Sequence, residues 1–193
     1  VHLFAPQPRA AIVRFAMNAT ASLNPPLHGP RLHLEPLAAR HAGPLFAVLA
    51  DPALYTHLDQ DPPLSALQLH QAYTRMQHRR SPDGSELWLN WVLYDADPQP
   101  LGYVQASVLA DGRAWVAWVL GRSAWGQGYA TEAAGTMLQH LMGGLQVRQA
   151  LACIEQANVR SQSVAARLGF RRAPQAGHEA LDLGASEQLW LLG

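Results

Sequence analysis

The stretch Trp125-Gly126-Gln127-Gly128-Tyr129-Ala130-Thr131-Glu132-Ala133 sets two glycines one residue apart, directly before a run with helical spacing. A helix start offers four backbone N–H groups without intrahelical partners and a partial positive charge, and glycine lets an anion approach the backbone closely. A phosphate group can sit there without any basic side chain; the alternative is that the glycines simply make a tight turn. Gly121 and Gly126 have P-loop spacing, but Gln127-Gly128 stands where lysine and a hydroxyl residue are required, so the P-loop is excluded. A dinucleotide fingerprint needs glycine where Thr131 stands, and the strands ahead of it read as hairpins rather than the opening of a parallel sheet.

Other residues with chemical potential are more scattered. His57, Asp59, Asp61 and Glu86 are candidates for proton relay or amine recognition, none of them assigned, since residues of these types are more often ordinary loop or surface residues. Trp115 and Trp118, read as sharing one strand face, and Trp88 on an earlier strand form either an aromatic acceptor wall or sheet core. Cys153 lies within the apolar run Leu151-Ala152-Cys153-Ile154 and reads as packing, because a reactive thiol needs an exposed, electropositive setting. Glu132 suits the helix dipole and can be structural. Nine histidines show no HExxH pair or Cys/His spacing, so no structural metal is expected.

The elements that must position these residues follow from periodicity and turn signals. Arg31-Leu32-His33-Leu34-Glu35 alternates as a strand and Pro36 ends it. Residues 37–58 suggest helix, interrupted at Asp51-Pro52, where the aspartate can cap a second short helix. Residues 64–78 read as a further helix with Leu67, His70, Gln71 and Thr74 on one face. Residues 87–94, 101–109 and 113–120 read as three consecutive antiparallel strands, the last two joined at Asp111-Gly112. Behind Gly128, Ala130, Ala133, Ala134, Met137, Leu138 and Leu141 form one apolar helical stripe that Gly143-Gly144 stops. A buried strand over 147–155, a helix capped by Asn158 and ended by Gly169, and strands at 170–173 and 187–192 complete the order.

The whole is expected to be α/β (α+β), with a mixed, mostly antiparallel, strongly twisted sheet splayed near Val119. Residues 1–30, with Pro25, Pro26, Gly29 and Pro30 near the end, read as a flexible arm or leader segment, and 31–193 as one domain. Fourteen basic residues balance fourteen acidic ones, so no net field favours nucleic acid or an anionic membrane. A single cysteine excludes an internal disulfide framework, and no run approaches the roughly 20 apolar residues of a membrane span. A reduced, cytoplasmic protein is expected.

The ordered set of hairpin strands, WGQGYATEA, a buried strand and ANVRSQSVAARLGF at 157–170 resembles the acetyl-CoA-binding half of GNAT acetyltransferases. More narrowly it resembles the branch that includes the ribosomal-protein N-terminal acetyltransferases RimJ and RimL, whose opening is similar to the strand at 31–36 and its helices. The resemblance spans residues 31–173. It implies that amides around Trp125, Gly126, Gly128 and Ala130 hold the pyrophosphate of acetyl-CoA, with Gln127 and Thr131 nearby. It also implies that the pantetheine arm pairs with the strand edge at Val119 and Leu120, and that the Leu120 N–H faces the acyl carbonyl as oxyanion donor.

Asn158 and Ser161 match the branch's NxxS arrangement, which implies an amide on the pantetheine and a hydroxyl facing the sulfur, although both can equally serve as helix caps. Many GNAT enzymes carry a tyrosine acid where Ala165 stands, which leaves Ser161 as the possible replacement. The strand 113–120 holds no carboxylate, although some GNAT enzymes have a glutamate base there. An α-amino group, with a pKa about 8, needs less help than a lysine amine near about 10.4. The resemblance thus implies transfer of acetyl from acetyl-CoA to a primary amine, a protein N-terminus or a small molecule. The alternatives are a non-catalytic acyl-CoA sensor or partner-binding module on the same fold, and a different acyl chain.

Overall fold

The computed structural model describes residues 23–58, 60–174, 181 and 183–193. Among these residues, eight strands form one sheet in the order β1-β2-β3-β4-β5-β6-β8-β7. They are β1 (Leu27–His28), β2 (His33–Pro36), β3 (Glu86–Tyr94), β4 (Gly102–Leu109), β5 (Arg113–Leu120), β6 (Gln149–Glu155), β7 (Arg171–Arg172) and β8 (Glu187–Leu192). Every pairing is antiparallel except β5 with β6. That single parallel pair is brief: Arg113, Ala114 and Trp115 match Gln149, Ala150 and Leu151, and beyond them the two strands part. The expected mixed, mostly antiparallel sheet is therefore present, and its opening begins after Trp115 and continues past Val119 to the end of β5.

Helices α1 (Ala42–Leu49) and α2 (Ala66–Met76) cover one face, and α3 (Tyr129–Gln139) and α4 (Val159–Arg167) the other. Strand β3 shows why both layers are needed. Leu87, Leu89, Trp91 and Leu93 enter the core shared with α3, while Val92 and Tyr94 enter the core shared with α1 and α2. The α3 stripe buries Ala133, Ala134, Met137 and Leu138, and full burial of Met137 alone contributes roughly 1.5–3 kcal/mol. The helix then runs on into a π-helical turn at His140–Gly144.

Three expectations are corrected. Helix α2 buries Leu69, Tyr73 and Met76, at i, i+4 and i+7, and leaves Leu67 on its outer side at 66 % exposure. Trp115 and Trp118 lie on opposite faces of β5, because a strand alternates with period two. Trp118 sits edge-on to Phe170 at 6.4 Å on the α3 side, whereas Trp88 packs on the α1/α2 side. Within the stretch read as the end of an arm, Leu27 and His28 instead join the sheet: β1 pairs with β2, and the Trp91 Nε1–H donates to the carbonyl of Pro25 at 2.7 Å. Among the described residues no helix is long and apolar enough to cross a membrane.

Candidate functional site

Two of the helices on the sheet begin with side-chain caps. Ser65 accepts from the Gln68 N–H at the start of α2, and Asn158 Oδ1 accepts from the Ser161 N–H at 3.1 Å at the start of α4. Helix α3 begins differently. Its N-cap is Gly128 in the left-handed region, with no side-chain cap, and the first helical hydrogen bond runs from the Glu132 N–H to the Gly128 carbonyl. The N–H groups of Tyr129, Ala130 and Thr131 are thus left for an outside acceptor. Gly126 and Gly128 have φ of 74° and 79°, a region that L side chains rarely adopt. A Cβ built on Gly126 would meet nothing within 4 Å, so open space lies in front of the turn. Beside it, the Thr131 hydroxyl is buried without a hydrogen-bond partner.

These groups open onto a groove of about 750 Å³ between the end of β5 and the start of α4. Val119, Leu120, Trp125, Gly126, Gly128, Ala130, Thr131, Asn158 and Ser161 all line it, so nine of the ten residues expected from the sequence converge on one cleft. Gln127 does not line it; its Nε2 donates to the Ser123 carbonyl at 2.7 Å, which holds the turn together from outside. Among the described residues that line the groove, the charged side chains are Arg160 and Arg167 of α4 and none is a carboxylate, so their field favours an anion. Arg160 lies over the Trp125 ring at 4.3 Å. Behind the turn, Arg31 donates to Glu132 Oε2 at 2.7 Å and to the Gln127 carbonyl at 3.0 Å. The second Glu132 oxygen accepts from the N–H groups of Arg31 and Leu32, which makes Glu132 a structural tie between the start of β2 and α3.

The sheet register decides which backbone groups face the groove. Gly121 N–H donates to the Leu101 carbonyl, so alternation along the β4–β5 ladder commits the peptide groups of Val119 and Ala117 to β4. The peptide groups of Trp118 and Leu120 point the other way, toward the opening left by β6. The Leu120 carbonyl accepts from Trp125 Nε1–H at 2.8 Å, and its N–H faces the open side. The edge expected at Val119 and Leu120 is thereby refined to Trp118 and Leu120, with Val119 lining the groove by its side chain.

A smaller cavity of about 50 Å³ fills the gap between β5 and β6. Trp118, Val119, Asn158, Ser161, His57 and Leu58 border both it and the groove, so the two spaces adjoin. Of the scattered candidates, His57 is the one brought to the site, with Nδ1 at 3.0 Å from Glu155 Oε2. Glu155 was not foreseen. Glu86 is buried at the far end of β3 and accepts from Trp88 Nε1–H, Asp61 lines neither space, and Asp59 lies outside the described residues. Cys153 borders the smaller cavity, but burial pushes its thiol up to about 12, which suits packing rather than nucleophilic chemistry. Among the described residues no group of three or more His, Cys, Asp or Glu side chains is placed to hold a metal ion.

A family model described as an acetyltransferase (GNAT) domain matches residues 31–171. No curated protein matches the chain in sequence. Among solved structures, RimL, described as a ribosomal L7/L12 α-N-protein acetyltransferase in complex with coenzyme A, superposes with a TM-score of 0.71 at 17% identity, covering 86% of this chain and 97% of that one. A GNAT-family acetyltransferase from Bacillus anthracis gives 0.69 at 13% identity, covering 86% and 97%. A GNAT-family protein from Chromobacterium violaceum gives 0.70 at 21% identity, covering 90% and 93%. At these identities the superpositions establish a shared fold.

Proposed function

We propose, since this chain belongs to the GNAT acetyltransferase family, that it moves an acetyl group from acetyl-CoA to a primary amine by direct attack of the amine on the thioester. The observation that carries the reading is the uncapped start of α3, with the orphaned Thr131 hydroxyl beside it, facing a groove whose lining charges are arginines. The amides around Trp125, Gly126, Gly128 and Ala130 receive the pyrophosphate and Thr131 donates a further hydrogen bond to it. The pantetheine arm runs along the open edge of β5 at Trp118 and Leu120, as an added strand. Asn158 spends its Oδ1 on capping α4 and keeps its amide N–H groups for the arm.

The Leu120 N–H is the fixed donor for the acyl oxygen. As the amine attacks, negative charge grows on that oxygen, and losing such a donor costs roughly 3–4 kcal/mol in comparable chemistry. Ser161, bordering both spaces, stands where its hydroxyl serves the departing sulfur. The acceptor is a peptide α-amine or a small-molecule amine. The peptide reading draws support from RimL, whose description names a protein α-amine.

Incubating the protein with acetyl-CoA and a panel of N-terminal peptides and small amines, followed by mass spectrometry and thiol titration, tests this. Amine-dependent release of CoA with one acetyl group gained by the amine is expected. Tight acetyl-CoA binding without turnover on any amine would instead identify a sensor, and turnover only with longer acyl donors would correct the donor.

A further inference from the structure

We propose that His57, oriented by Glu155, is the group that takes the proton from the acceptor amine; the inference rests on the acetyl-transfer reading above. The pair spans the opening in the sheet. Glu155 is the last residue of β6, beyond the point where that strand leaves β5, and His57 follows the 3-10 turn at Pro52–Tyr55. That turn is anchored to the end of β5 through Asp51, which accepts from the Ala53 N–H and from Arg122 Nε–H at 2.6 Å. The loop carrying the imidazole is therefore tied to the strand whose Leu120 N–H faces the acyl group.

His57 Nδ1 lies 3.0 Å from Glu155 Oε2, and the side chains are 34% and 30% exposed, so the pair is held and still reachable. A carboxylate that accepts the Nδ1–H leaves Nε2 with its lone pair free, the tautomer a proton acceptor needs. His57 borders both the groove and the smaller cavity, and so does Ser161, which places proton acceptor and sulfur-facing hydroxyl around one passage. Among the described residues, the titratable groups around that passage are Glu155 and Cys153 from β6 and Glu187 from β8, with Arg160 and Arg167 farther along α4 in the groove. Glu155 and Glu187 stand directly opposite each other in the β6–β8 register. Two facing carboxylates favour an acceptor that arrives as an ammonium ion, and such an acceptor must lose a proton before it can attack.

His57 Nε2 removes one proton from the ammonium and later passes it to solvent. The neutral amine nitrogen forms a bond to the thioester carbon, the carbon–sulfur bond breaks, and the second nitrogen proton ends on the sulfur of CoA. Nothing is oxidised or reduced.

The test uses His57→Gln and Glu155→Ala in the full chain. For His57→Gln we expect kcat to fall about 100-fold at neutral pH. Acetyl-CoA affinity should be unchanged by calorimetry, and part of the rate should return as the pH approaches the pKa of the amine. For Glu155→Ala we expect a smaller loss, about tenfold. In the free protein, nitrogen-15 spectra of the ring should show the Nδ1–H tautomer of His57 giving way to Nε2–H in Glu155→Ala. Unchanged kcat in His57→Gln at every pH while the unaltered protein turns over, or an unaltered His57 tautomer in Glu155→Ala, overturns the assignment and leaves the acetyl-transfer reading standing. Failure of the unaltered protein to acetylate any amine removes both.

Discussion

Trp125 Nε1–H donates to the carbonyl oxygen of Leu120 at 2.8 Å, joining the open edge of β5 to the glycine turn that starts α3. The same indole lies under Arg160 of α4, so one side chain fixes three borders of the groove. Trp125→Phe keeps much of the apolar contact but removes the donor. It should lower unfolding free energy by about 1 kcal/mol, with CoA affinity falling several-fold as the edge and the turn lose their common reference. Urea unfolding and calorimetry check both, and unchanged values in the two measurements would remove this tie from the account.

Gly126→Ala separates backbone strain from ligand contact. With φ of 74°, alanine there costs roughly 1–2 kcal/mol of stability. Among the described residues, no atom beyond the adjoining ones lies within 4 Å of the new Cβ, so the steric conflict expected there is with a ligand seated on the turn. CoA affinity should drop about tenfold or more, in a variant that still unfolds cooperatively. Retained affinity would place the pyrophosphate elsewhere.

Ser161→Ala isolates the hydroxyl, because the cap at the start of α4 is the Asn158 side chain and Ser161 contributes only its backbone N–H. Stability should change by less than about 0.5 kcal/mol. If the hydroxyl stabilises the departing thiolate, single-turnover rates at saturating acetyl-CoA should fall on the order of tenfold while binding is nearly unchanged. An unchanged chemical step would remove Ser161 from catalysis and leave the Leu120 N–H as the acyl-side group.

The parts of this site that were legible in sequence are those set by one local constraint. Gly126 and Gly128 sit at positive φ, Asn158 has the chemistry of a cap, and the α3 stripe has helical period. Other features depend on partners distant along the chain. Which face of α2 is buried was decided by packing of Tyr73 and Met76, although Leu67 is as apolar a letter as Leu69. Leu120 rather than Val119 presents its peptide to the groove because of the register with β4, which residue types alone do not fix. The partner of His57 is 98 residues away and becomes a neighbour only through the sheet order, so His57 could be named in advance but Glu155 could not.

In the proposed CoA site, the start of α3 and the free edge of β5 act together. Titrating CoA into nitrogen-15-labelled protein and following every backbone amide tests it most directly. The largest shifts should fall on Leu120, Gly126, Gly128 and Ala130, with smaller ones at the start of α4. Saturating CoA that moves other amides and leaves Leu120 and Gly126 in place would contradict it.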